Sequence, residues 1–319
     1  MGLSLYVVLG SAVVGLLVGL TGAGGGALMT PMLILLFSVK PAAAISSDLV
    51  AAVFMRPVGA AVHLHKGTVN LRMVGLMTLG SVPMAFLGSF LLREMNDSKA
   101  GQANVEIVLG AALLVGASAM VFRYVMDRRS GRARTGAIRE VTLRPVPTVV
   151  IGMIGGLIVG ITSVGAGSLM IILLLFTYPL LSAGQLVGTD LTQAVPLTAA
   201  AALGALTFGH VEFGVTASII VGSVPAVLVG SLLSSRAPDK YIRPAITFVI
   251  FASGLKYVGV PTYPLGFVMG GILVAGAAYW LAYLRQTRQR EPAPVVTEVA
   301  PPAAQPPKAA APLDDVPVR

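Results

Sequence analysis

Two short segments break otherwise apolar stretches in the same way: Thr21-Gly22-Ala23-Gly24-Gly25-Gly26 and Thr162-Ser163-Val164-Gly165-Ala166-Gly167-Ser168. An apolar run follows each, so the pattern predicts helices beginning near Gly26 and Gly167. Their free N–H groups and dipole ends favour an anion. Glycine lets an oxyanion approach the backbone and permits positive φ, while Thr21, Thr162 and Ser163 add hydroxyl donors. Thr21, Gly22, Gly24, Gly25, Gly26, Thr162, Ser163, Gly165 and Gly167 are therefore candidate substrate-binding positions. Irregular backbone at membrane depth must be buried in protein or line a wet cavity. The competing use of glycine is close helix packing, which is the reading for Gly15, Gly19, Gly156 and Gly160, spaced four apart inside apolar runs.

Charged and amide side chains extend the set. Arg56 falls in the middle of an apolar block, next to Pro57. A central Arg costs roughly 2.5–3.5 kcal/mol on insertion scales, so it must face protein or water. Its guanidinium can hold an oxyanion through two parallel hydrogen bonds, or it can pair with Asp48 or another acid. Asp48 and Asp190 follow Ser47 and Thr189 at matched positions. They read either as helix N-caps or as carboxylates that change protonation in a working cycle. Gln193, one turn beyond Asp190, is a candidate for a polar lining. His63-x-His65 is no chelate on a helix, since residues two apart point away from each other. Gly22-x-Gly24-x-x-Ala27 with Asp48 downstream imitates a dinucleotide fingerprint, but no strand precedes it and the second copy lacks the first glycine. No cofactor is expected. With no cysteine, thiol, disulfide and zinc-thiolate chemistry are excluded.

The elements that position these residues follow from composition. The chain has 319 residues, 55% hydrophobic and 11% charged. Soluble domains carry roughly 25% charged residues, so a water-exposed surface cannot be built from this chain. The class predicted is an all-α integral membrane protein. Apolar blocks at 3–20, 27–39, 42–64, 71–92, 105–124, 146–161, 169–181, 186–208, 214–233, 241–258 and 265–284 supply its helices, a full span needing about 20 residues. The first block lacks a basic n-region and reads as retained rather than as a cleaved signal. Residues 285–319 are rich in Pro and Ala and read as a disordered extension. The net charge of +9 reflects basic loops: seven Arg lie within residues 123–144. That marks a cytoplasmic loop, not a nucleic-acid surface.

The chain also repeats itself. GLLVGLTGAGGGALM (Gly15–Met29) lies over GLIVGITSVGAGSLM (Gly156–Met170) at an offset of 141. Beyond one inserted residue the offset is 142. There Ser47-Asp48-Leu49 meets Thr189-Asp190-Leu191, Gly67-x-Val69 meets Gly209-x-Val211, and GSVPMAFLGSFLL meets GSVPAVLVGSLLS. Matched Gly, Pro, Thr and Asp at a nearly fixed offset identify a duplicated unit. Over roughly residues 5–258, these paired segments resemble the sulfite exporter family of the TauE/SafE type. The resemblance implies a secondary transporter of sulfite, organosulfonates or related small sulfur-containing anions.

Lys and Arg placement gives an expected topology. With 123–144 and 285–290 cytoplasmic, and four crossings between 186 and 284, each interrupted pair must form a hairpin. Gly209–Glu212 is then outside. Each repeat, a Gly-rich hairpin plus three spans, crosses an odd number of times, so the repeats are inverted. Lys40 and Lys256 fall outside, against the rule. The organisation expected is membrane repeat 1 (1–125), basic loop (126–144), membrane repeat 2 (145–259), an extra C-terminal span (260–284) and a cytoplasmic tail (285–319), in the cytoplasmic (inner) cell membrane. The partners expected are the lipid bilayer and a small sulfur-containing anion, with no nucleic acid. A membrane-embedded enzyme or a channel-like anion pore is the alternative. Three His, no Cys and no HExxH leave little from which to build such an enzyme.

Overall fold

A computed structural model of the chain describes residues 3–21, 25–65, 67–96, 99–129, 141–165, 167, 169–179, 181, 183–233, 239–261 and 271. These residues form α1 (Leu5–Thr21), α2 (Gly26–Phe37), α3 (Pro41–His65), α4 (Leu71–Asn96), α5 (Lys99–Arg129), α6 (Pro145–Thr162), α7 (Leu169–Thr177), α8 (Ala183–Phe208), α9 (Phe213–Leu233) and α10 (Asp239–Tyr257). No strand occurs among the described residues. The chain divides into residues 1–269, which carry all ten helices, and residues 270–319, of which only Gly271 is described. The tail, nearly all of the expected extra span and the centre of the basic loop lie outside the described residues.

Among the described residues, six helices are long and apolar enough to cross a bilayer: α3, α4, residues 101–122 of α5, α6, α8 and α9. The interrupted pairs behave differently. The 12 residues of α2 and the 9 of α7 reach only about 18 and 14 Å at 1.5 Å per residue, well short of the ~30 Å core. Each doubles back on the helix before it. A β-carbon at Gly10 of α1 would sit 2.9 Å from Met32 Sδ and 3.1 Å from Phe37 Cε2, so the end of α2 returns beside α1. In the second copy the Tyr178 hydroxyl lies 2.6 Å from Thr148 Oγ1 and accepts the Arg144 N–H at 2.8 Å, which brings the end of α7 to the start of α6.

Packing crosses between the copies. Gly15 of α1 lies on Ser223 of α9, and Gly19 on Val227 and Gly230. Gly156 of α6 lies on Ser81 of α4, and Gly160 on Ala85 and Gly88. The second set is the first shifted by the repeat offset. The stripes expected to serve packing therefore do so, each bringing one copy's first helix against the other copy's fourth at backbone distance. Between these pairs run α3 and α8. Ser47 near the start of α3 accepts the N–H of Glu212, just past α8, at 3.2 Å. Thr189 near the start of α8 accepts the N–H of Asn70, just past α3, at 3.3 Å. The two helices are thus antiparallel and joined by matched bonds.

Several hydroxyls in the helices are satisfied within their own turns. Ser11, Thr21, Thr148, Thr162, Thr198 and Ser223 each donate to the carbonyl four residues earlier, which hides a donor where no water is available. The outer surface is apolar instead, with Leu36, Val146, Phe213 and Leu232 all exposed, as lipid contact requires.

Candidate functional site

The polar centre is built around Asp48. Because α3 begins at Pro41 and α8 at Ala183, Asp48 and Asp190 sit inside helices. The N-cap alternative is thereby corrected, since a cap residue stands outside the helical turns. Both acids are buried, Asp48 completely. Thr30 Oγ1 of α2 donates to Asp48 Oδ2 at 2.9 Å, and Ser163 Oγ donates to the same oxygen at 2.8 Å. Asp48 Oδ1 has no hydrogen-bond partner among the described residues. One carboxylate oxygen therefore ties α2, α3 and the second Gly-rich break together.

Ser163 holds this position under strain. It follows α6 with φ 58° and ψ −2°, in the left-handed region, its N–H bonded to the Val159 carbonyl at 2.7 Å. The residue 141 positions earlier is Gly22, the type that adopts such a φ without cost. A side chain kept at a left-handed position points to a use for that side chain, and here the hydroxyl is spent on Asp48. Gly165 and Gly167 continue the break with φ of 122° and 104°.

The two breaks meet. A β-carbon at Gly26, the first residue of α2, would fall on the Ser163 carbonyl oxygen and lie 2.8 Å from Ser163 Oγ. Glycine at 26 is thus required by close approach of one break to the other. Gly25 precedes it, 3.3 Å from Met55 Cε by the same measure, while Gly22 and Gly24 lie outside the described residues. Thr162 donates to the Ile158 carbonyl at 2.7 Å and accepts the Val164 N–H at 3.1 Å, which shapes the break. Thr21 donates to the Leu17 carbonyl.

Arg56 lies two turns beyond Asp48 on α3, about 12 Å along the axis, and is 7% exposed. Asp190 of α8 exerts the largest attraction on it and Asp48 the next. An acid distant in sequence thus supplies what Asp48 is too far away to give alone. The Nε of Arg56 has no hydrogen-bond partner among the described residues. Gln193, one turn after Asp190, donates to Ser81 Oγ at 2.6 Å, while its Oε1 has no such partner. Thr30 and Ser81 were not singled out in the sequence. Thr30 carried a signal, as the one hydroxyl in the apolar run of α2, with Ile171 at the matched place. Ser81 carried none, because serine is common in packed membrane helices.

The ends of the hairpins differ. A cavity of about 420 Å³ opens where α1 begins and α2 ends, lined by Ser4, Val7, Phe37, Lys40 and Glu212 among others. Lys40 precedes Asp48 by eight residues, so the cavity stands about 12 Å along α3 from the polar centre. At the matched place in the second copy, Tyr178 and Thr148 replace Phe37 and Val7 and close on each other through their hydroxyls.

No group of three or more His, Cys, Asp or Glu able to hold a metal ion occurs among the described residues. The chain is 34% identical over 257 residues to the probable membrane transporter protein YjnA of Bacillus subtilis (strain 168), covering 80% of this chain and all of that protein. It is 22% identical over 251 residues to the probable membrane transporter protein YdhB of the same organism, covering 79% of this chain and 98% of the relative. No solved structure matches it. The family described as sulfite exporter TauE/SafE matches residues 7–257, the span that holds both hairpins, both breaks and all of the buried acids and Arg56, and the chain is a multi-pass membrane transporter belonging to that family.

Proposed function

We propose that this transporter moves sulfite, an organosulfonate or a related small sulfur-containing anion across the cytoplasmic membrane by alternating access with ion coupling. The observation that carries the reading is a buried Arg56 with an unpartnered Nε, held by Asp190 and Asp48 near two Gly-rich breaks that touch at Gly26 and Ser163. Arg56, the break residues and Gln193 supply donors to the anion. Asp48 and Asp190 serve coupling. The contact between the breaks represents a closed state that must open for the anion to reach the backbone N–H groups. The antiparallel α3 and α8, with matched bonds at Ser47 and Thr189, support two repeats of inverted topology around a central site.

Purified protein in proteoliposomes is expected to give saturable, gradient-dependent flux for at least one of sulfite, thiosulfate and a sulfonate. Conversion of substrate into a product by protein in detergent, or flux that does not saturate, would overturn the reading in favour of an enzyme or a pore. The basic loop is placed in the cytoplasm and the α8–α9 loop outside. In this cysteine-free chain, an impermeant thiol reagent applied to intact cells should label Glu212→Cys and spare Gly131→Cys, and the reverse pattern would invert the assignment.

A further inference from the structure

The two matched acids are not equivalent in their surroundings. Around Asp48 stand the hydroxyls of Thr30 and Ser163, both on Oδ2. The residues that the repeat places opposite them are Ile171 and Gly22, which offer no such donors. Asp190 instead gives Arg56 its strongest attraction. The charged group whose field reaches Asp48 is Arg56, two turns along the same helix. From α2 and from the α6–α7 break it meets neutral hydroxyls. Glu106 of α5 neighbours Tyr257 instead, and Glu212, in the α8–α9 loop, lines the cavity at the end of the bundle. Counted as charges, the centre holds Arg56 against two carboxylates, a net negative charge before any anion arrives. Arginine does not lose its proton in proteins, so the imbalance can be relieved only at a carboxylate or by a bound cation.

We propose that the coupling ion is a proton and that Asp48 carries it at Oδ1, while Asp190 remains the ionised counter-charge of Arg56. This rests on the anion-transport reading above. Entry of an anion beside Arg56 adds a second uncompensated negative charge to a site with little water, and protonating Asp48 removes one. Anion and proton therefore bind together. Oδ1 is the oxygen with no donor on it, while Oδ2 is held by two hydroxyls, so the proton adds to a fixed carboxyl without rearranging α2 or the break. A divalent cation is the poorer fit, since calcium takes six to eight oxygens and no group of three or more His, Cys, Asp or Glu occurs among the described residues.

The test uses the full chain in proteoliposomes with a pH dye inside, the membrane potential clamped, and thiosulfate and methanesulfonate as probes, because neither titrates near neutral pH. Wild-type protein is expected to change the internal pH in step with anion flux, and to accumulate anion about tenfold more per unit of imposed pH difference for one coupled proton. Flux should be indifferent to replacing sodium with choline. Asp48→Asn is expected to lose both the pH change and the gradient-driven accumulation. Asp190→Asn should lower flux yet keep proton movement. Thr30→Val, which leaves the carboxyl and removes one donor to its charged form, should move the midpoint of the pH dependence upward and provides the readout if Asp48→Asn does not fold. Anion flux with no proton movement, flux that requires sodium, or proton movement that survives Asp48→Asn and disappears with Asp190→Asn overturns this assignment and leaves the anion reading standing. Absence of flux for every anion overturns both.

Discussion

Arg56→Gln is expected to insert and fold but to carry the proposed anion at least ~100-fold more slowly than the parent. A hydrogen bond to a charged group contributes about 1.5–3 kcal/mol, and a guanidinium can make two in parallel to one oxyanion. The loss of one such contact is enough for ~100-fold, since each factor of ten corresponds to about 1.4 kcal/mol. Stability falls as well. Removing one partner from a buried charge cluster costs about 3–5 kcal/mol because it leaves the opposing charge uncompensated, and here Asp190 and Asp48 both face Arg56. Arg56→Gln combined with Asp190→Asn separates the effects. The pair should recover thermal stability in detergent while anion flux stays low. Recovery of flux in the double variant would make Arg56 a counter-charge alone and leave the Gly-rich helix ends as the anion-binding elements.

Gly26→Ala is the second large effect. The added methyl would coincide with the Ser163 carbonyl oxygen, and backbone cannot turn aside as a flexible side chain can. Relief requires α2 to withdraw from the second break, which pulls Thr30 and Ser163 apart from the oxygen of Asp48 that they share. Overpacking costs about 1–3 kcal/mol, and separating the buried bonds adds to it, so the unfolding midpoint should fall and flux should drop at least tenfold. Gly75→Ala is the control. Nothing lies within 4 Å of a β-carbon there, and exchanging glycine for alanine inside exposed helix is neutral or stabilising by up to ~1 kcal/mol. Equal midpoints for the two variants would show that the breaks do not touch in the protein as it exists in a membrane.

Much of this architecture was readable from hydropathy, because a bilayer fixes how long an apolar helix must be and the duplication supplies two readings of each element. The errors lie where hydropathy and helicity part. Residues 169–181 are apolar throughout, but α7 stops at Thr177, since Pro179 disfavours helix in the residue before it and cannot donate in the ladder. In the other direction α5 runs from Lys99 to Arg129, past the apolar block at 105–124, because charged residues with good helix propensity extend a span into the headgroups. The centre was legible in part. Ser163 meets Asp48 through its hydroxyl and Gly26 through its backbone, and all three residues stand out in the sequence. The partners were not legible. Nothing local to Arg56 announces Asp190, and nothing in α6 states that it packs on α4, since lipid-like side chains fit many neighbours equally well.

The crossed packing of α1 on α9 and of α4 on α6 has a consequence for biogenesis. As the chain is synthesised, α1 is among the first segments to enter the bilayer, and the surface it needs is among the last. Until α9 arrives, the Gly15 and Gly19 stripe meets lipid or a chaperone in place of Ser223 and Gly230. Domain-by-domain completion, the habit of many large chains, is closed to this one, because each copy's first helix packs on the other copy's fourth. Assembly of α1 waits on the synthesis of α9, and a message truncated after the first copy would leave α1 without the surface it packs on. The same interlocking bears on ancestry. A single-copy predecessor could have covered its glycine stripes by pairing with a second molecule of itself, a contact that the duplicated chain makes internally.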